Sequence, residues 1–244
     1  MSNSNILKFP LLLAALVTVA PGAALAEDAG WSGLYIGGSA GVTWHDFDYH
    51  FTFNGSDAPG ATSSSSDNGS SFIGSLFGGY NFQSGNVVFG IEGDATFGNV
   101  GGDSTLVFVD PPDPDDSFSA RSKISDQSSI RGRLGYAWDG FMLFGTAGLA
   151  IADVNTSVTA VSTDGSFPTS TFSKSETLYG WTVGAGGEYA LNDHWIARLE
   201  YRHNDYGDFN FTFNSASLTP FYGPNTIRTS AVTAEVRVGL SYRF

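Results

Sequence analysis

Eight segments of this chain alternate apolar and polar residues with a period of two, and the connections between them are short and long in strict turn. The segments run over 33–45, 71–82, 87–98, 124–138, 141–154, 176–190, 195–206 and 229–244. Such alternation puts every apolar side chain of a segment on one face, as in a half-buried strand. The last segment is the cleanest. It sets Val232, Ala234, Val236, Val238, Leu240, Tyr242 and Phe244 against Thr233, Glu235, Arg237, Gly239, Ser241 and Arg243. The second is the least regular: Phe72, Leu76 and Tyr80 share a parity, while Ile73 and Phe77 take the other. The short connections are 83–86, Asp139-Gly140 and 191–194, and Asp-Gly is a strong hairpin signal. The long ones, 46–70, 99–123, 155–175 and 207–228, hold every proline beyond residue 21. A proline inside a strand would remove a ladder hydrogen bond. Tight turns alternating with long loops are the plan of a membrane-spanning barrel. The expected fold is all-β: an eight-stranded antiparallel up-and-down transmembrane β-barrel over 27–244.

Alternation does not say which face is inside. A soluble eight-stranded barrel would turn its apolar face inward. Three features favour the inverse. The polar face is rich in glycine and small residues, as a narrow filled interior requires. The large aromatics Trp44, Tyr136, Trp138, Trp195, Tyr242 and Phe244 lie on the apolar face toward strand ends, where membrane barrels carry aromatic girdles. Charges on the polar face nearly balance: Glu92, Asp94, Glu188, Glu200 and Glu235 against Arg131, Arg133, Arg198, Arg202, Arg237 and Arg243. A solvated face has no reason to balance in a chain of net charge -13, whereas a desolvated interior does.

Composition removes several alternatives. The absence of cysteine excludes disulfide scaffolds, thiolate metal sites and thiol catalysis. The acidic balance argues against nucleic acid, whose phosphates need clustered Lys and Arg. Beyond residue 25 no apolar run approaches the length of a membrane helix. Before it, Lys8 precedes an apolar stretch that ends in Ala24-Leu25-Ala26, followed by Glu27 and Asp28. That layout predicts a cleaved signal peptide over 1–26.

Counted from the turn end of each strand, the interior charges fall at similar heights. Glu92, Arg133 and Glu200 lie five residues up, and Asp94, Arg131, Arg202 and Arg237 lie seven. Two readings are open. The charges form one paired belt that fills the bore, since an eight-stranded barrel is only wide enough for side chains. Alternatively, they are ordinary lumen residues without a collective role.

Several stretches resemble one family. They are Trp31-Ser-Gly-Leu-Tyr-Ile-Gly-Gly-Ser-Ala-Gly41, Phe89-Gly-Ile-Glu-Gly-Asp-Ala-Thr-Phe97, Ile130-Arg-Gly-Arg-Leu-Gly-Tyr-Ala-Trp138, Gly184-Ala-Gly-Gly-Glu-Tyr-Ala190, Leu199-Glu-Tyr-Arg202 and Val238-Gly-Leu-Ser-Tyr-Arg-Phe244. The family is that of the small outer-membrane immunogenic and haemin-binding barrels, relatives of the outer-membrane-protein-A-like barrels. The resemblance covers 31–244 except the long loops. It implies the outer membrane of a Gram-negative bacterium, with lipid and lipopolysaccharide as surroundings. Tyr242 and Phe244 look like the terminal signal read by the outer-membrane assembly machinery. Members are described as structural, antigenic, porin-like or haemin-binding. The expected role is therefore structural and surface-presenting, with host or ligand contacts through the extracellular loops. A haemin or ligand receptor and a narrow diffusion porin are the alternatives.

No catalytic residue is expected. A His-Asp pair at the mouth, from His45 with Asp46 and Asp48 or His203 with Asp205, lacks a partnered serine motif. No resident cofactor is expected either. If haemin binds, His45, His50 or His203 would be its axial ligand, with Phe47, Tyr49, Phe51 and Phe53 stacking on it. The alternative is that strand one continues above the membrane, its aromatics pairing with Phe209, Phe211 and Phe213. The loop acids Asp110, Asp113, Asp115 and Asp116 match no calcium loop, so no metal site is expected.

Overall fold

The computed structural model describes residues 30–52, 62–107, 117–161, 169–213 and 225–244, which form strands and turns. The expected leader, the prolines beyond residue 21, Phe53 and the acids between 110 and 116 lie outside the described residues. The strands are β1 (Gly33–Thr52), β2 (Thr62–Ser84), β3 (Val87–Val107), β4 (Ser117–Trp138), β5 (Phe141–Val161), β6 (Ser170–Ala190), β7 (Trp195–Phe213) and β8 (Asn225–Arg243). Each pairs antiparallel with its sequence neighbours, and β8 returns to β1 to close the barrel. At the turn between β4 and β5, Asp139 and Gly140 both take positive φ, as a two-residue hairpin demands.

In the half nearest the short turns, the apolar face is outside. Leu34, Ile36, Leu76, Ile91, Leu134, Leu149, Leu199 and Val238 are exposed there. Aromatic rings gather in two belts. At the turn end, Phe82 stacks on Phe89 at 5.4 Å, Trp138 meets Phe141 at 5.0 Å, and Tyr242 lies between Trp195 and Phe244. Toward the loop end stand Phe72, Phe97, Tyr179 and Trp181. The irregular parity of β2 has a simple cause: Ile73 and Phe77 point inward and are buried.

The strands are longer than the alternation indicated, at 19–23 residues. A transmembrane strand needs only ~9–11. Much of what reads as loop in 46–70, 99–123, 155–175 and 207–228 is therefore strand. The reason is an inversion of polarity. Above the outer aromatic belt, the outward positions are polar: Asp48 and His50 on β1, Lys123 and Asp126 on β4, Asp153 and Asn155 on β5. The inward positions become apolar. Phe47, Tyr49, Phe51, Ile73, Val100, Ile124, Val154, Val158, Leu178, Tyr206, Phe209, Phe211 and Ile227 form one buried cluster. The same period-two rule holds throughout, with its sense reversed at one height.

The ladder also changes there. The β2–β3 pairing runs from Ser84↔Val87 only to Gly74↔Phe97, and the β6–β7 pairing from Ala190↔Ile196 only to Trp181↔Asp205. The other six ladders continue to the loop end of the described strands. Among the described residues, the outer half is thus two four-stranded sheets, β7-β8-β1-β2 and β3-β4-β5-β6, packed face to face. Each seam opens beside a glycine with positive φ, Gly98 on β3 and Gly207 on β7, at a break in register. Such a conformation costs L-residues dearly, and glycine lets the strand veer away.

Candidate functional site

The lumen is layered. At the turn end, Trp31, Val88, Ala137, Met142, Phe144, Ala190 and Ile196 pack together. Trp31 precedes β1 and is buried, and its backbone N–H donates to the Gln83 side chain at 2.5 Å. Arg243 donates to the carbonyls of Gly30 and Asp193, tying the entering chain to the last turn. At the loop end lies the aromatic and aliphatic cluster between the two sheets. Between these apolar layers sit ten of the eleven polar-face charges, all but Arg243 and all buried: Glu92, Asp94, Glu188, Glu200 and Glu235 with Arg131, Arg133, Arg198, Arg202 and Arg237.

Alternation explains their placement, since each occupies the inward parity of its strand. Closure explains their pairing. β3 and β7 lie opposite each other across an eight-stranded bore, so the acids of β3 reach the arginines of β7. Arg198 donates to Glu92 at 2.5 Å and to Glu188 at 2.7 Å. Arg202 donates to both oxygens of Asp94, at 3.1 and 3.0 Å, and to Glu200 at 3.3 Å. Arg131 on β4 donates to Glu92 and, at 2.5 Å, to Glu200, and lies 3.4 Å from Asp94. Arg133 pairs with Glu188 at 2.6 Å. Arg237 pairs with Glu235 at 2.5 Å and approaches Asp94 at 3.5 Å. Each guanidinium thus meets at least one carboxylate, and the set of ten is electrically neutral. Bidentate and shared contacts of this kind are the strong ones.

Several members were not legible as such. Tyr35 donates its hydroxyl to Glu92 at 2.7 Å. Phe77 lies 4.4 Å under the Arg198 guanidinium, and Phe144 lies 4.3 Å under that of Arg133. These rings floor the charged layer through cation–π contacts. The signal was present in Phe77, a large aromatic on the polar parity of β2. Four hydroxyls join them: Ser75 and Thr96 accept from Arg237, Ser129 donates to Asp94, and Thr146 accepts from Arg131.

The histidines are not brought together. His45 faces the lumen and is 3% exposed. His50 is exposed on the outside of β1. His203 lies on the outer face of β7, its ring 5.4 Å from that of Trp181. The run from Phe47 to Phe51 is no exposed stacking platform: Phe47, Tyr49 and Phe51 are buried in the core between the sheets, together with Phe209 and Phe211. Strand one does continue past the membrane half, to Thr52, and because β8 lies between β1 and β7 these rings share the core as inward side chains of one sheet and not as ladder partners. Among the described residues, no three His, Asp or Glu side chains gather closely enough to hold a metal ion.

Comparison with known proteins agrees with this architecture. The chain is 33% identical over 198 residues to a 22 kDa outer membrane protein of Rhizobium leguminosarum bv. viciae, covering 81% of this chain and 75% of that protein. It is 32% identical over 228 residues to a 31 kDa outer-membrane immunogenic protein of Brucella melitensis biotype 1, covering 92% and 88%. Among solved structures, the outer membrane protein OprG of Pseudomonas aeruginosa superposes with a TM-score of 0.58 at 14% identity, over 89% of this chain and 99% of that one. At that identity the likeness concerns the fold alone. The family model described as the outer membrane protein beta-barrel domain matches residues 10–244. With that match running almost the length of the chain, the protein belongs to the outer membrane protein beta-barrel family, and its place is the outer membrane.

Proposed function

We propose that this protein is a closed, non-conducting barrel of the outer membrane. Its role is structural, and it presents its outer half at the cell surface without catalysing a reaction. One observation carries the reading: the bore is filled at three successive heights, by the Trp31 layer, the charged layer and the aromatic core. A salt-bridge network between two apolar layers has no continuous path for water, and an eight-stranded barrel has no spare width around it. The exposed polar flanks of the outer half support a surface-presenting role, and so do relatives named as immunogenic proteins. The outward apolar belt contacts lipid, and the polar zone above it stands among lipopolysaccharide headgroups. Phe244 is 70% exposed beside Tyr242 at the turn end, where it is available to the assembly machinery. Planar-bilayer recording of the purified protein tests the reading. The expected trace shows no steady channel. A stable open pore in the unmodified protein replaces this reading with that of a narrow diffusion porin.

A further inference from the structure

Among the described residues, His45 is the histidine that points into the bore, and it stands where the charged layer gives way to the outer core. Phe72 of the outer aromatic belt pairs with Val42, and Gly69 pairs with His45, so the ring lies above the belt and outside the lipid. Phe47 is the next inward residue, with ring centres 5.4 Å apart. Gly69 roofs the imidazole: a Cβ there would stand 2.9 Å from it. Both ring nitrogens are buried without a hydrogen bond, and so is one oxygen of Asp67, 3.7 Å from Nε2.

Asp67 and Gly69 belong to the outer arm of β2, residues 62–71. The arm pairs with β1 along its whole length, whereas the ladder of β2 with β3 ends at Gly74↔Phe97. Its inward residues are Ser63, Ser65, Asp67, Gly69 and Ser71, all small or polar and only half-buried. Ile73, below the arm, is the member that β2 gives to the buried outer cluster. The arm therefore contributes little of the apolar burial that holds the rest of this half together. What it lays against the core is Asp67 and Gly69, over His45.

The charged and titratable groups around the ring can be named strand by strand. On β1 itself, Asp46 and Asp48 flank it on the outward face. On β2 there is Asp67. On β8 its register partner is Thr233, and the next inward charges, Glu235 and Arg237, pair with each other at 2.5 Å. On β7, Asn204 donates to Thr233, Tyr206 donates to Gln127, and Arg202 donates to Asp94 of β3. Among the described residues, Asp67 is the carboxylate within ion-pair reach of the ring, and it stands beyond hydrogen-bond distance. Burial holds the His45 pKa below the ordinary histidine value, and Asp67 offsets only part of that. The closed arm therefore takes up this proton less readily than a released one. Its stability is complete above about pH 6.5, where a free histidine charges, and declines as pH falls through that value. Asp46 acts in the opposite sense: burial, with Asp48 and Asp67 nearby, raises its pKa, so acid favours its folded form.

We propose that His45 is an acid-operated latch: the protonated ring leaves its place beneath Gly69 and frees the 62–71 arm of β2 from the outer core, while the membrane half stays closed. The latch rests on the placement of the arm and not on whether the lumen conducts.

The test uses purified protein in lipid nanodiscs near the two ends of the histidine range, about pH 8 and about pH 5. Amide hydrogen exchange is read at both, corrected for the intrinsic pH dependence of exchange. Protection of 62–71 is expected to fall about tenfold in acid, the factor given by a tenfold difference in proton affinity, and to return on neutralisation. Segments 33–38 and 76–82 should keep their protection. His45→Gln, neutral at every pH, should protect the arm equally at both, with heat-modifiable mobility showing that it is folded. In the unmodified protein, NMR of the imidazole carbons should show His45 taking its proton over the pH range in which the arm loosens. Protection that is unchanged in acid overturns the proposal, and so does protection that rises, the sign of a His45–Asp67 ion pair drawing tight. An equal fall in a folded His45→Gln protein also overturns it, as does an arm that loosens while His45 stays neutral.

Discussion

Replacing Arg131 by alanine removes the guanidinium that joins three acids. In the native lumen it bonds Glu92 and Glu200 and stands 3.4 Å from Asp94, with no solvent at its side chain. The layer then holds five carboxylates and four guanidiniums, and three of those carboxylates face one another with one counter-charge fewer. Breaking a buried pair by removing one partner costs about 3–5 kcal/mol. For a chain of this size each kcal/mol moves the midpoint by roughly 2–4 °C, so Tm should fall by roughly 10 °C. Arg121, exposed on the outside of β4, is the control, and Arg121→Ala should cost no more than about 1 kcal/mol, the range of an exposed charge. A compensated variant, Arg131→Met with Glu92→Gln, restores neutrality and should recover most of the loss. The assay is the temperature at which the folded barrel loses its heat-modifiable gel mobility, supported by urea titration in vesicles. If Arg131→Ala and Arg121→Ala melt within a degree or two of each other, water reaches the charged layer and the sealed-lumen argument fails.

Three further outcomes follow from other parts of the chain. Phe47→Ala should remove about 3–5 kcal/mol of packing from the outer core, and hydrogen exchange should rise in the outer half while the turn-end half stays protected. Deleting Phe244 should sharply reduce the barrel recovered in the outer-membrane fraction and leave the exported form in the periplasm, as cell fractionation and immunoblotting will show. Amino-terminal sequencing of the membrane form should begin at Glu27, because Ala24-Leu25-Ala26 offers small residues where signal peptidase needs them.

The membrane half was legible because one rule governs it: lipid outside and a narrow polar bore inside make period two visible in every strand. The charged layer was legible for the same reason. Inward parity puts all of its members in one narrow bore, but the partners cross the counted heights: Arg131, seven residues up, bonds Glu92 and Glu200, five residues up. The outer half was not, for two physical reasons. Its polarity is reversed, so Asp46-Phe47-Asp48-Tyr49-His50 has the same period with apolar and polar exchanged, and the sequence alone leaves open an aromatic ligand platform or a continuation of strand one. Beside the β2–β3 seam the Ser-rich run 62–71 forms an edge, where little apolar surface is buried, so no alternation marks it as strand. Tertiary contacts across the bore, such as Phe77 under Arg198, have no local signature beyond a residue on an unexpected face.

The height at which the two faces trade polarity works as a waterline. Below it, Phe72, Phe97, Tyr179 and Trp181 suit the membrane interface, and a little above it stand Asp126 and Asp153, directly paired across β4 and β5. Sinking the barrel would draw those carboxylates into hydrocarbon. The penalty for charge on a lipid-facing position climbs from about 0–1 kcal/mol near the interface to about 2–4 at the midplane for Arg and Lys, with Asp and Glu costing less. Raising it would lift the aromatic belt and the leucines beneath it into water. Both displacements act on all eight strands at once, because the barrel is closed below the seams and moves as one body. The protein therefore sets its own draught in the bilayer, and the stretch of barrel standing clear of the membrane is fixed by that line.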